Sequence, residues 1–219
     1  MKQKSQFKQT EIGEIPEDWE IKRIDELGEL NSGKKRPSNV GQYPVYGGNG
    51  ILAYASDYNH ENLIIIGRVG AYCGALYLEK NKFWLSDNAL GFKNNNKSDL
   101  NFLYYLFKFK NFNKISIGGA QPLLTQTILN EVEFGIPPLK EQRAIAKILF
   151  DLDSKIELLQ SQNKTLELMG KNIFKQWFVD FEFPNEEGKP YKSSGGEMID
   201  CELGEMPKGW RIAKLQSSC

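Results

Sequence analysis

The sequence predicts a mixed α/β (α+β) domain of short strands and loops, followed by one long α-helix with an apolar seam. Three observations carry that prediction. Short apolar runs separated by glycines fill residues 43–85, a period and punctuation suited to strands. Beyond Pro138, Ile145, Leu149, Leu152, Ile156, Leu159, Asn163, Leu166, Gly170, Ile173 and Trp177 follow an unbroken 4-3 spacing, with no proline between 139 and 183. Finally, Glu11–Ile24 recurs without gaps as Glu202–Leu215, with Pro16 and Trp19 matched by Pro207 and Trp210. The offset of 191 residues (202 − 11) is domain-sized, far beyond the about 20–50 residues of a solenoid repeat.

The elements follow in order. Pro16-Glu-Asp-Trp19 opens the domain, and Glu20–Leu30 carries a short amphipathic pattern through Ile21, Ile24 and Leu27. Asn31–Gln42, rich in Gly, Ser, Asn, Pro and basic residues, is expected to be loop. Strands are expected at Tyr43–Tyr46, Gly50–Ala55, Leu63–Gly67, Ala75–Leu78 and Phe83–Leu85. Asp99–Phe109 reads as a helix with Leu100, Leu103, Leu106 and Phe107 on one face, and Ile128–Ile136 runs into Pro137-Pro138, which closes the domain. The heptad segment then predicts a rod of about 60 Å at 1.5 Å per residue. A single apolar stripe must be buried against another helix, and Asn163 at an "a" position would set register and partner number. Phe181–Gly196 has linker composition.

Composition narrows the function. An apolar content of 40% is enough for a core and excludes a disordered chain. No apolar run approaches the about 20 residues that span a membrane, and the polar start Met-Lys-Gln-Lys-Ser-Gln is no signal peptide. Three scattered cysteines, Cys73, Cys201 and Cys219, suit a reducing compartment, so a cytoplasmic location is expected. Net charge is zero, but residues 31–128 hold 11 Lys/Arg against 5 Asp/Glu (+6), whereas residues 1–30 and 129–219 each carry −3. The basic charge is thus confined to the middle of the domain, which permits a DNA-facing side.

Sequence features argue against chemistry in this chain. Gly28-Glu-Leu-Asn-Ser-Gly-Lys34-Lys35 nearly spells a phosphate-binding loop, but Lys35 stands where the Mg²⁺-binding hydroxyl belongs and the preceding segment reads as helix. His60, the single histidine, is expected in a loop with no nucleophile pattern beside it. One histidine and three isolated cysteines leave zinc without a ligand set. Binding is better served. Lys34, Lys35 and Arg36 form a cationic loop suited to phosphates. Tyr46, Asn49, Arg68, Tyr72, Asn88 and Gln121 supply donors, acceptors and planar groups of the kind that read base edges.

In this order, a set of segments resembles the specificity subunits of type I restriction–modification enzymes. They are Pro16-Glu-Asp-Trp19, Tyr46-Gly-Gly-Asn-Gly-Ile-Leu-Ala-Tyr54, Ile64-Ile-Ile-Gly-Arg68-Val-Gly-Ala-Tyr72, Trp84-Leu-Ser-Asp-Asn88-Ala, Gly118-Gly-Ala-Gln-Pro-Leu123 and Ile136-Pro-Pro-Leu-Lys-Glu-Gln-Arg143-Ala-Ile. The resemblance implies a target recognition domain over 1–137, a conserved coiled-coil helix over 138–180, and a linker with the start of a second recognition domain over 181–219. In that family two such helices pack antiparallel and hold two recognition domains apart, each reading half of a split site in double-stranded DNA. Methylation and cleavage belong to separate modification and restriction subunits, so S-adenosylmethionine, ATP and Mg²⁺ are implied for those partners and no cofactor for this chain.

One recognition domain and one helix make this sequence similar to a half-length form, expected to restore the two-domain layout as a homodimer through Ile145–Trp177. Two other classes stay open on sequence alone: a coiled-coil adaptor whose head binds protein, and a fragment of a DNA methyltransferase or nuclease.

Overall fold

The computed structural model describes residues 6–119 and 121–213. Contacts divide the chain into two compact units, Met1–Leu152 and Asp153–Cys219.

The first unit begins with a hairpin of β1 (Phe7–Thr10) and β2 (Gly13–Pro16), then β3 (Glu20–Arg23) and a single helical turn, α1 (Ile24–Leu27). Strands β4 (Gly28–Ser32), β5 (Tyr43–Gly47), β6 (Gly50–Ala55), β7 (His60–Gly67), β8 (Leu76–Leu85) and β9 (Ala89–Asn94) form one six-stranded sheet in the order β4-β9-β7-β8-β5-β6. Only the β5–β8 pairing is parallel. Helices α2 (Leu100–Lys110) and α3 (Gln126–Asn130) follow, and β10 (Glu133–Ile136) returns to pair antiparallel with β3. The two ends of the domain are therefore stitched together just before Pro137.

The run Leu63-Ile-Ile-Ile66 shows why β7 lies centrally. Successive side chains point to opposite faces of a sheet. Ile64 and Ile66 pack with Phe92, Phe107 and Leu103 on the face covered by α2, whereas Leu63 and Ile65 pack with Phe83, Leu85 and Tyr46 on the other. All four are fully buried, as expected of a strand covered on both sides. The predicted helix at Asp99–Phe109 is α2, with Asp99 as its N-cap accepting from the Phe102 amide at 3.0 Å.

Several expectations are corrected. Glu20–Leu30 is not one amphipathic segment but β3, α1 and the start of β4, so the glycine of the near-phosphate loop opens a strand. The loop expected at Asn31–Gln42 starts only after Ser32. The runs expected at Ala75–Leu78 and Phe83–Leu85 fall, apart from Ala75, in the single strand β8, which continues between them through polar residues, with Glu79 opposite Leu63 and Lys82 opposite Glu61. His60 lies in β7 opposite Phe83, not in a loop. Strand β9 has no counterpart among the predicted elements.

The long helix α4 (Leu139–Phe174) continues as a π-helical turn to Val179. Its first turns are built into the domain core: Ala146 is 4% exposed and Gln142 1%. The Gln142 side chain accepts from the Asp99 amide and donates to the Pro137 carbonyl, both at 2.9 Å. From Leu152 onward the seam faces solvent.

In the second unit, the segment with linker composition is folded. Phe183 stacks on Tyr191 at 4.7 Å, the Tyr191 amide donates to the Phe183 carbonyl, and β11 (Met198–Cys201) pairs with β12 (Gly204–Pro207). Leu215 and Cys219 lie outside the described residues.

Candidate nucleic-acid interface

One end of the six-stranded sheet collects turns from distant parts of the sequence. The β5–β6 turn brings Asn49, exposed between the buried Gly48 and Gly50. The β8–β9 turn brings Asn88, also exposed; its carbonyl accepts from the Arg68 amide at 3.2 Å, directly after β7. Gly67 makes this convergence possible. A Cβ there would stand 2.2 Å from the Tyr72 carbonyl oxygen and 2.9 Å from that of Gly48, so no other residue lets the three segments meet. Tyr72, in the short 3₁₀ turn Gly70–Tyr72, is 55% exposed beside them. The Gly70 amide donates to the Pro122 carbonyl, and Ile117 pairs with Leu123, which places the Gln121 tip at the same end; Ala120 within that tip lies outside the described residues.

The cationic loop reaches this end by its backbone. The Lys34 amide donates to the Leu85 carbonyl at 3.0 Å, and the Trp84 indole donates to the Lys34 carbonyl at 3.4 Å. Gly33 lies so close to the β8–β9 turn that a Cβ would be 1.9 Å from the Ser86 oxygen. Lys34, Lys35 and Arg36 all remain exposed. The Arg68 Nε, by contrast, is shielded from water and has no hydrogen-bond partner among the described residues. A donor kept in that state costs about 1–3 kcal/mol, so Arg68 gains from any acceptor that lets it re-aim.

The structure therefore brings Lys34, Asn49, Arg68, Tyr72, Asn88 and Gln121 together, with Lys35 and Arg36 next along the chain. Tyr46 is the exception and a correction. Its ring packs edge-on to Phe83 at 5.5 Å, and its hydroxyl donates to Glu79 at 2.9 Å. Burial, then the Glu79 hydrogen bond, pushes that hydroxyl far above its ordinary range. Tyr46 is a core residue that aims the β5–β6 turn.

His60 is half-buried, and burial followed by the charges of Lys34 and Lys93 pushes its imidazole below the usual value. It is neutral at pH 7 and adds no charge to the basic end. Among the described residues, no three His, Cys, Asp or Glu side chains cluster as a metal site.

Asn59 escaped the sequence reading. Its side chain donates to the Leu85 carbonyl at 3.1 Å and accepts from the Leu85 amide at 2.7 Å, standing in for a strand partner where β8 enters the Asn88 turn. A loop asparagine carries no pattern that would single it out. Trp84 has the same supporting role and was visible only as part of the Trp84–Asn88 motif.

Comparison with known proteins gives the family of the chain. Residues 16–168 match the family model described as type I restriction modification DNA specificity domain. The type I restriction enzyme MjaIX specificity subunit of Methanocaldococcus jannaschii is 32% identical over 96% of this chain and 54% of its own length. The putative type I specificity subunit S.MpnORF285P of Mycoplasma pneumoniae is 28% identical over 80% of this chain and 61% of its own. The chain thus spans about half the length of the curated relatives such as MjaIX (54%). Among solved structures, the S subunit of a type I restriction–modification system from M. genitalium matches with a TM-score of 0.63 and 23% identity, over 74% of this chain and 46% of that one. The HsdS subunit from Thermoanaerobacter tengcongensis matches with a TM-score of 0.51 over 71% of this chain and 42% of that one. The solved structures share the fold, and the match over 16–168 together with the 32% identity to the MjaIX subunit shows the family: the chain belongs to the type I restriction modification DNA specificity domains.

Proposed function

We propose that this chain is the DNA-recognition component of a type I restriction–modification system, reading one half of a bipartite duplex target and performing no chemistry itself. The observation that carries the reading is the convergence of Lys34, Asn49, Arg68, Tyr72, Asn88 and Gln121 at one end of the sheet. Cations there neutralise phosphates and position the domain, while amides and the Arg68 guanidinium face base edges. The segregated +6 charge of residues 31–128 supports the same side as the DNA face.

The helix supports a scaffold role. Leu152, Ile156, Leu159, Leu166, Ile173 and Trp177 are 57%, 51%, 45%, 63%, 46% and 37% exposed, an apolar seam that favours association. Pairing with a second copy, antiparallel about a two-fold axis near Leu159, covers it and sets Asn163 close to the axis. Modification subunits then engage a helix and a recognition domain, a restriction subunit completes the cytoplasmic assembly, and these partners supply the S-adenosylmethionine, ATP and Mg²⁺.

Two identical domains related by a two-fold axis must read the same bases in inverted order. The target is therefore an interrupted palindrome with an adenine methylated in each half. Mapping the sites methylated by this chain with a modification subunit tests the reading: a reproducible asymmetric target would overturn the dimer. Salt-independent binding to duplex DNA would instead favour a protein-binding adaptor.

A further inference from the structure

The repeat in the sequence is a repeat of structure. Hairpin β1–β2 pairs Phe7 with Pro16 through Thr10 with Gly13, and β11–β12 pairs Met198 with Pro207 through Cys201 with Gly204, each shifted by 191 residues (198 − 7). Both turn on a left-handed glycine, Gly13 at φ 112° and Gly204 at φ 103°. In both, a side chain donates back to that glycine's carbonyl, Thr10 at 2.6 Å and Cys201 at 2.8 Å. Both end with a tryptophan amide donating to the proline carbonyl at 3.1 Å, Trp19 to Pro16 and Trp210 to Pro207.

Their settings differ. Trp19 lies on β10, where a Cβ on Gly135 would be 3.2 Å from its ring, and its indole Nε1 is shielded without a partner among the described residues. Trp210 instead rests in an aromatic seat. It stacks on Phe183 at 5.5 Å, meets Phe181 edge-on at 5.6 Å, and has Phe178 at 6.1 Å. Phe181 adopts φ +59°, a conformation costly for a side chain with Cβ, where its ring meets the indole. Lys192 pairs with Glu205 of the hairpin at 3.2 Å. The two hairpin residues that the seat contacts have counterparts in the first hairpin, Glu14 for Glu205 and Trp19 for Trp210, and the residues between them match as Ile15 for Met206 and Pro16 for Pro207.

We propose that the seat formed by Phe178, Phe181, Phe183 and Lys192 also accepts the first hairpin, Phe7–Trp19, of a second copy of this chain, in competition with the chain's own second hairpin. The inference rests on the antiparallel pairing proposed above. A two-fold axis near Leu159 sets Leu139 opposite Val179 of the other copy (2 × 159 − 139), so the end of one helix reaches the start of the other. That start lies four residues after Gly135, which holds Trp19. The second hairpin is then a cap on the dimer contact, occupying the seat whenever the first hairpin of the other copy does not.

Sedimentation equilibrium of the full chain tests this. Trp210→Ala empties the seat and should lower the dimer dissociation constant on the order of tenfold, and Trp19→Ala should raise it on the same scale, as expected for an aromatic anchor at an interface. Two surface variants avoid any loss of folding. Glu205→Lys repels the cap from Lys192 and should tighten the dimer roughly 2- to 5-fold, whereas Glu14→Lys should weaken it roughly as much, the range of an exposed ion pair. Dissociation constants within twofold of the parent for all four variants would overturn the seat while leaving helix pairing intact, provided Leu159→Asp is monomeric. A Leu159→Asp chain that stays dimeric would overturn the pairing and the seat together.

Discussion

Replacing Gln142 by Met should destabilise the first unit by about 2–6 kcal/mol, although Met matches the glutamine in length and is more apolar. Gln142 is 1% exposed and satisfies two backbone groups at once, the Asp99 amide and the Pro137 carbonyl, each at 2.9 Å. The substitution leaves both groups buried without partners, and each orphaned group costs about 1–3 kcal/mol. The gain from burying a thioether cannot offset that, because the glutamine already fills a buried site of the same length. Urea unfolding followed by circular dichroism measures the change, and a melting temperature lower by roughly 5–15 °C should accompany it. Gln142→Glu supplies a second readout. A buried carboxylate facing the Pro137 carbonyl has its pKa raised, so this variant should regain stability as the pH falls and the protonated acid donates where the amide did. A Gln142→Met chain within about 0.5 kcal/mol of the parent would refute the reasoning, since such a value is ordinary for surface changes.

Replacing Lys34, Lys35 and Arg36 together by Ala should weaken binding to every duplex alike and flatten the log–log salt slope by up to about 3, as three phosphate contacts are lost; an unchanged slope would remove this loop from the interface. Leu159→Asp should weaken self-association at least about 100-fold, since two seam leucines worth about 1.5–3 kcal/mol each become like charges beside the two-fold axis; light scattering reads the mass. His60, whose folded-state pKa is lowered, leaves the unfolded chain with more bound protons below its ordinary value. Stability should therefore fall as the pH drops below about 6.5, and urea midpoints of His60→Asn should lose that part of the slope.

Local periodicity was enough for much of this protein. The alternation in Leu63–Ile66, the face of α2 and the 4-3 seam of α4 are all set by neighbours within a few residues, and side-chain period follows directly from backbone geometry. The 191-residue repeat likewise survives as two hairpins with the same register. Motif content led to the loops at the basic end, and from them to the family.

Other features depend on partners far along the chain, where pattern is silent. Ala89–Asn94 becomes β9 because β7 and β4 pair on either side of it. Its Gly91 leaves room that the side chains of Leu63 and Leu85 fill, so a residue that weakens strand propensity is required by packing. Tyr46 looks like an exposed reader beside Asn49, yet Phe83, Tyr77 and Glu79 bury it. Lys34 and Asn88 meet at one end of the sheet only because the β8–β9 turn holds the Lys34 backbone. Residue order is enough to say which segments are periodic and which carry charge or amides. Which of those side chains reach solvent together depends on long-range packing, because exposure is set by what packs against a residue and not by its own chemistry.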